Sequence, residues 1–328
     1  ARLWEQCYAF MRSVFQIAQR MKRPVERLGS GPMPFIPLTC DSVRFQILVP
    51  ADMAYLFMKQ VVERYSEIFG RVRHLLPLHL STAVFYIKAP LYIAMDAARR
   101  FSDRVYENPR HEMLWRQTWI LKEDPVRSAD HQTITLCWET PEKHTVTWNV
   151  PCTLPNGQED RFHTWFTVQN HTWPVSIFDL KKGFACAVYP SSFDFEVLDA
   201  STRRYDIRYL ADGHRSHFMM PRAQSGPRPY YIEDLSDWEK TFVPLFAKND
   251  DSVRQRKTAL DLLSRLHNDW NATGREYEEK VFRGMIRDIL QNTLAKGNDE
   301  RLCQAAYDGT FFDLFEWFDF IGSNFSEE

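Results

Sequence analysis

The chain has 328 residues, of which 44% are hydrophobic and 14% aromatic; that is enough apolar material for two or three packed units and too much for a disordered protein. Its 41 basic and 43 acidic residues nearly cancel, so global charge cannot steer a polyanion and any nucleic-acid contact must come from a local patch. There is no run of about 18 apolar residues and no cationic leader, and the six cysteines are scattered without a C-x-x-C pair; no membrane span or secretory signal is visible, the cysteine pattern argues against a zinc ribbon and a dense disulfide framework, and the expectation is a cytoplasmic protein.

Taken in chain order, residues 1–23 read as a helix already under way, with Trp4, Tyr8, Met11, Phe15 and Ala18 on one face and no capping residue ahead of them. That suggests the C-terminal portion of something longer, whose own N-terminal region would be one of its partners. Two glycines and two prolines in "RLGSGPMP" then break the periodicity. Phe35–Thr39 and Val43–Val49 read as strands joined by the turn Thr39-Cys40-Asp41-Ser42, and Pro50 ends the second. A helix from Ala51 carries Met53, Phe57, Val61, Tyr65 and Ile68 on a stripe, with Asp52 where an acid favours the helix start. "LPLHLSTAVFYI" alternates as a half-buried strand, and "APLYIAMDAARRF" opens a helix with Pro90 in its first turn.

Residues 113–235 change character. "HQTITLCWE", "HTVTWNV", "RFHTWFTV", "GFACAVY" and "FDFEVL" alternate apolar and polar residues, as antiparallel strands do. Trp138, Trp148, Trp165 and Trp173 are either a stacking platform for bases or the packed core of a sheet. "SGPRPYY" reads as a protruding loop. From residue 236, "SDWEKTFVPLFA", "DSVRQRKTALDLLSRLHNDW", "REYEEKVFRGMIRDILQNTLA" and "FFDLFEWFDFIG" are amphipathic helices, which predicts a bundle. The aromatic cluster Phe311, Phe312, Phe315, Trp317, Phe318 and Phe320 either seals that bundle or awaits a partner.

The stretch "TCDSVRFQILVPADMAYLFMKQVVERYSEIF" with "LPLHLSTAVFYIKAPLYIAMDAARRF" resembles the palm of the polymerase- and cyclase-like large subunit of type III CRISPR effector complexes. In that family a strand leads into Gly-Gly-Asp-Asp, a second strand follows, a proline opens a helix, and a later strand runs into Lys-x-Pro-Leu; here Lys88, Pro90 and Leu91 keep that last order. The match covers residues 1 to about 100, the remainder agreeing by architecture alone. The turn departs from it: Thr39, Cys40, Asp41 and Ser42 leave one carboxylate, whereas two-metal phosphoryl chemistry needs several anionic oxygens around ions about 3.5–4 Å apart. Asp41 is therefore a weak candidate both as catalytic acid and as metal ligand, against the plainer reading of a turn aspartate.

The resemblance implies an α+β protein: a partial ferredoxin-like palm (1–112), a β-rich region continuing it (113–235) and a C-terminal helical bundle (236–328). It implies a scaffold for crRNA and target RNA that docks other CRISPR effector subunits in antiviral defence, with no cofactor. A Mg²⁺-dependent cyclic oligoadenylate synthase using ATP, and a protein-interaction module unrelated to CRISPR, are the alternatives. Candidate nucleotide or RNA contacts are Lys88, Arg71 and Arg73 near the palm, and Arg203, Arg204, Arg208 and Arg215 in "STRRYDIRYLADGHRSHF", where tyrosines interleave with the basic residues. Against each stands the reading of a solvated charge.

Overall fold

A computed structural model describes residues 7, 9–14, 16, 36–40, 44–106, 116–153, 158, 160, 164–200, 202–210, 213–215, 227–246, 250–273 and 279–321. Its elements mix helices with several sheets, an α+β protein. The chain divides into two compact units: the first comprises Ala1–Leu80, Pro109–Ser192 and Tyr231–Glu233, the second Ser81–Asn108, Phe193–Tyr230 and Asp234–Glu328.

In the first unit β1 (Ile36–Cys40) and β2 (Phe45–Leu48) pair antiparallel, with a register shift between Pro37 and Thr39. Helix α1 (Ala51–Phe69) follows at once: Pro50, which cannot continue a ladder, accepts from the Met53 amide (3.0 Å) and Asp52 lies in the first turn. Phe57, Val61 and Tyr65 are buried as the stripe predicts, joined by Ala54, Tyr55, Met58 and Phe69. Met53 and Ile68, at the margins of that face, are half-buried. Residues 9–14 are helical, and Phe10 packs edge-on against Tyr65 and Phe69 (6.2 and 5.4 Å).

The larger sheet of this unit contains β4 (Gln117–Leu121), β5 (Val126–Arg127), β6 (Thr133–Glu139), β7 (Thr145–Pro151) and β10 (Ala185–Val188). Strands β4 and β5 pair in turn with the same β6, β7 also pairs with β6, and β10 extends the sheet beyond β4. Period-two alternation sends Ile134, Leu136, Trp138, Val146, Trp148 and Val150 to one face, all nearly inaccessible. Trp119, Trp138 and Trp148 meet there with centroids 5.1–6.4 Å apart. These indoles are core, which settles two of the four tryptophans; Trp165 and Trp173 are exposed. Two short strands, β8 (Trp165–Phe166) and β9 (Val175–Ser176), form a separate ladder.

Most residues of a further sheet, of order β12–β11–β3, belong to the second unit; it is formed by β3 (His79–Phe85), β11 (Ser192–Leu198) and β12 (Tyr230–Tyr231). Every residue of β11 is buried. Helix α2 (Leu91–Tyr106) buries Ile93, Ala94, Ala97 and Phe101 against Leu198 and Ile207. The remaining helices are α3 (Asp234–Phe242), α4 (Asp250–Thr273), α5 (Glu279–Leu294), α6 (Glu300–Asp308) and α7 (Thr310–Ile321). The predicted aromatic helix α7 seals its own unit: Trp317 is fully buried against Phe193 and Phe195 of β11 (5.2 and 4.7 Å), and Phe311, Phe312 and Phe318 are buried as well. Among the described residues no helix is long and apolar enough to cross a membrane.

Candidate nucleic-acid interface

The seven basic residues singled out in the sequence have different fates. Arg71 and Arg73 belong to the first unit. Arg73 is buried, donates to Glu233 and lies over the Trp148 ring (4.6 Å), while Trp148 Nε1 donates to the same Glu233 (3.0 Å). Arg71 donates to the Thr153 carbonyl and sits 3.3 Å from buried Asp160. Both guanidinium groups tie down the β-rich part of their own unit.

Lys88, Arg203, Arg204, Arg208 and Arg215 fall in the second unit. Arg203 opens a 3-10 turn (Arg203–Asp206). With three residues per turn, successive side chains leave such a turn about 120° apart, and the Arg-Arg doublet divides accordingly. Arg203 points inward to Glu196 (2.6 Å) and Glu316 (2.8 Å); Arg204 turns the other way.

Arg215 is buried too, gripping Asp194 through two bonds of 2.8 Å and Glu196 through one of 2.7 Å. Its strand-like partner Arg228, bridged to it backbone to backbone, grips Asp313 through two bonds (2.8 and 2.6 Å), and Tyr230 donates to the same carboxylate. "SGPRPYY" is thus corrected at its C-terminal half: Arg228 is 1% exposed and its charge is internal. Burial disfavours the charge on Arg215, but Asp194 more than offsets this, so the guanidinium holds its proton more firmly than usual. Burial likewise pushes Asp194 upward, and Arg215 outweighs it, leaving the carboxyl below its ordinary range. Three arginines are therefore paired with four carboxylates around β11, and none of the three positive charges is left over.

What faces outward is a smaller group on α2 and the 3-10 turn. Tyr92, Asp96 and Arg100 recur every four residues along one side of α2. Arg100 lies over the Tyr205 ring (4.6 Å), Arg204 over the same ring (4.7 Å) and over Tyr92 (5.5 Å). Asp96 holds both guanidiniums, at 3.2 Å from Arg100 Nε and 3.3 Å from Arg204 Nε. Tyr92 is 64% exposed and Tyr205 41%. Arg208 is exposed beyond the turn, and Lys88 is exposed in the turn that precedes α2, closed by the Ala89 amide donating to the Tyr86 carbonyl (2.8 Å).

Asp41 lies outside the described residues, as do His111, His163 and His217. Among the described residues no three His, Cys, Asp or Glu side chains are grouped so as to hold a metal ion. Sequence reasoning passed over Tyr92 and Asp96 as site residues, although their four-residue spacing to Arg100 was visible. It had no signal that Arg203 and Arg215 would find acids 7 to 113 positions away. No family model, no curated protein and no solved structure matches the chain.

Proposed function

We propose that the chain is a degenerate-palm large subunit of a type III CRISPR-like effector complex, a scaffold that holds crRNA and target RNA and docks the other effector subunits in antiviral defence. The observation that carries this reading is the order of elements around the family-like residues. Strand β1 runs into Thr39 and Cys40, β2 follows, Pro50 opens α1, and after β3 the run Lys88-Ala89-Pro90 opens α2, with the Pro90 carbonyl accepting from Ile93 (3.0 Å). On this reading these elements are what remains of a ferredoxin-like palm. The ladder of β1 and β2 is separate from that of β3 among the described residues, a departure from a single palm sheet.

Loss of the cyclase chemistry is part of the proposal. A hairpin that offers one carboxylate holds a divalent ion weakly, and the Thr39 hydroxyl, near the end of β1, donates across the ladder to Gln46 Oε1 (3.3 Å). The RNA-holding part rests on Lys88 and Arg208, which are exposed, with Arg204 half-buried beside Tyr92 and Tyr205. A cytoplasmic setting suits Cys137, Cys152, Cys186 and Cys303, which carry free thiols.

The test is reconstitution: the chain is co-expressed with the proteins encoded beside its gene and with a guide RNA, and the mixture is resolved by size exclusion. Co-elution with RNA and those subunits is expected; elution of the chain alone overturns the reading and leaves an unrelated interaction module. A parallel incubation with Mg²⁺ and labelled ATP distinguishes the enzyme: oligoadenylate product that disappears in Asp41→Ala would replace the scaffold by a cyclase.

A further inference from the structure

We propose that the outward side of α2 and the 3-10 turn is a stacking platform for unpaired bases of single-stranded RNA, an inference that rests on the RNA-holding reading above. Arg100 and Arg204 both lie over the Tyr205 ring (4.6 and 4.7 Å from its centroid), and Arg204, which donates to the Tyr205 hydroxyl (2.8 Å), also lies over Tyr92 (5.5 Å). Asp96 fixes both guanidiniums from the side, so the stack exists before any ligand arrives. A preformed surface loses little side-chain entropy on binding. The stack ends on Tyr92, whose ring is 64% exposed. One further planar group laid on that ring continues it.

Charge selects the occupant. Arg99 and Arg208 are exposed beside the stack and Lys88 precedes the helix that carries it, while Asp96 is already engaged by two arginines. An aromatic face bordered by exposed cations fits a base on the ring and its phosphates on the cations. A duplex hides its base faces and offers only phosphates. Every base has a π-face, so the platform reads strandedness with little regard to sequence. Tyr86 and Ile87, 58% and 89% exposed in the turn before α2, extend the apolar border along which a strand would continue.

The experiment is fluorescence anisotropy with the full chain and a fluorescein-labelled 12-nucleotide RNA of mixed sequence, single-stranded or annealed to its complement. Tyr92→Ala is expected to weaken the single strand about 5- to 150-fold, the range for losing one base–aromatic stack. Tyr92→Phe keeps the ring and should stay within about twofold of the parent, whereas Tyr92→Leu keeps apolar area without a flat face and should behave as Tyr92→Ala. The duplex should bind more weakly and respond to none of the three. Because Tyr92 is exposed, circular dichroism of the variants should match the parent.

Parental affinity in Tyr92→Ala, or a leucine as good as tyrosine, overturns the platform; the second result marks an apolar protein-docking surface. Either leaves the scaffold reading standing, since co-elution tests that separately. No affinity of the parent chain for the single strand overturns the platform and the RNA-holding part together.

Discussion

Arg215→Met separates an internal arginine from an RNA-contacting one. In the parent, Arg215 neutralises Asp194 through two bonds of 2.8 Å and Glu196 through one of 2.7 Å, all with side chains about 3% exposed. Methionine fills much of the volume but strands Asp194, whose remaining partners are the Tyr209 hydroxyl and the Phe195 amide. Removing one member of a buried pair costs about 3–5 kcal/mol, against a typical total of about 5–15 kcal/mol. With a urea dependence near 2 kcal/mol/M, the midpoint should fall by about 1.5–2.5 M. Glu196 keeps Arg203 and Arg228, so the loss is concentrated on Asp194. The double variant Arg215→Met/Asp194→Asn removes the stranded charge and should recover at least about 1.5 kcal/mol of it, because a buried pair replaced on both sides is often close to neutral. Urea unfolding followed by tryptophan fluorescence and far-ultraviolet circular dichroism reads all three. A loss under about 1 kcal/mol, accompanied by weaker RNA binding, would refute the reasoning and return Arg215 to the surface.

Two titrating groups pull in opposite directions between pH 4 and 6. His74 is buried, stacked on Phe166 at 4.3 Å and bonded to the Trp165 carbonyl (2.9 Å), and burial lowers its pKa to about 4. The unfolded chain therefore binds a proton that the folded one refuses, and the first unit loses up to about 3 kcal/mol as pH falls from about 6.5 to 4; a His74→Gln variant should lose this slope. Asp308 is partly buried, and its burial raises the pKa to about 6. Its folded form holds the proton better, so the second unit loses stability as pH rises from about 4 to 6. Asp308→Asn, which preserves an acceptor for the Thr310 amide, should flatten that loss and stabilise the unit at pH 7 by about 1–2 kcal/mol, discounted for partial exposure. Gly70→Ala should lower the first unit's melting temperature, since a Cβ there meets the Ser66 carbonyl at 2.3 Å and Pro151 at 3.0 Å; an unchanged melting temperature would show that the helix end relaxes freely.

Elements with a clean period were legible. The alternation of "TITLCWE" and "TVTWNV" became β6 and β7 with every apolar residue but Cys137 on the core face. The stripes of α4, α5 and α7 were likewise recognised, with ends displaced by a few residues. Helix α6 was overlooked although its signals were present: Asp299 caps it by accepting from the Arg301 and Leu302 amides (3.1 Å each), and Gly309 ends it at φ 92°. Nine residues offer too short a stripe to stand out beside its longer neighbours. The deeper obstacle is β11. "FDFEVL" alternates as a half-exposed strand would, yet Asp194 and Glu196 are as inaccessible as Phe193 and Phe195. Period two tells which residues share a face; it does not tell whether that face meets water or an arginine brought from another part of the chain. The same ambiguity hid the division of Arg203 from Arg204, which only the geometry of the 3-10 turn resolves.

The central claim is that the second unit keeps Arg203, Arg215 and Arg228 for itself and presents Lys88 and Arg208 to RNA. Its most direct test is the salt dependence of single-stranded RNA affinity in the double variant Lys88→Gln/Arg208→Gln. Losing two phosphate contacts should weaken binding and reduce the slope of log K against log salt by about 1.4, at about 0.7 per contact on a single strand. An affinity and a slope equal to those of the parent chain would contradict it.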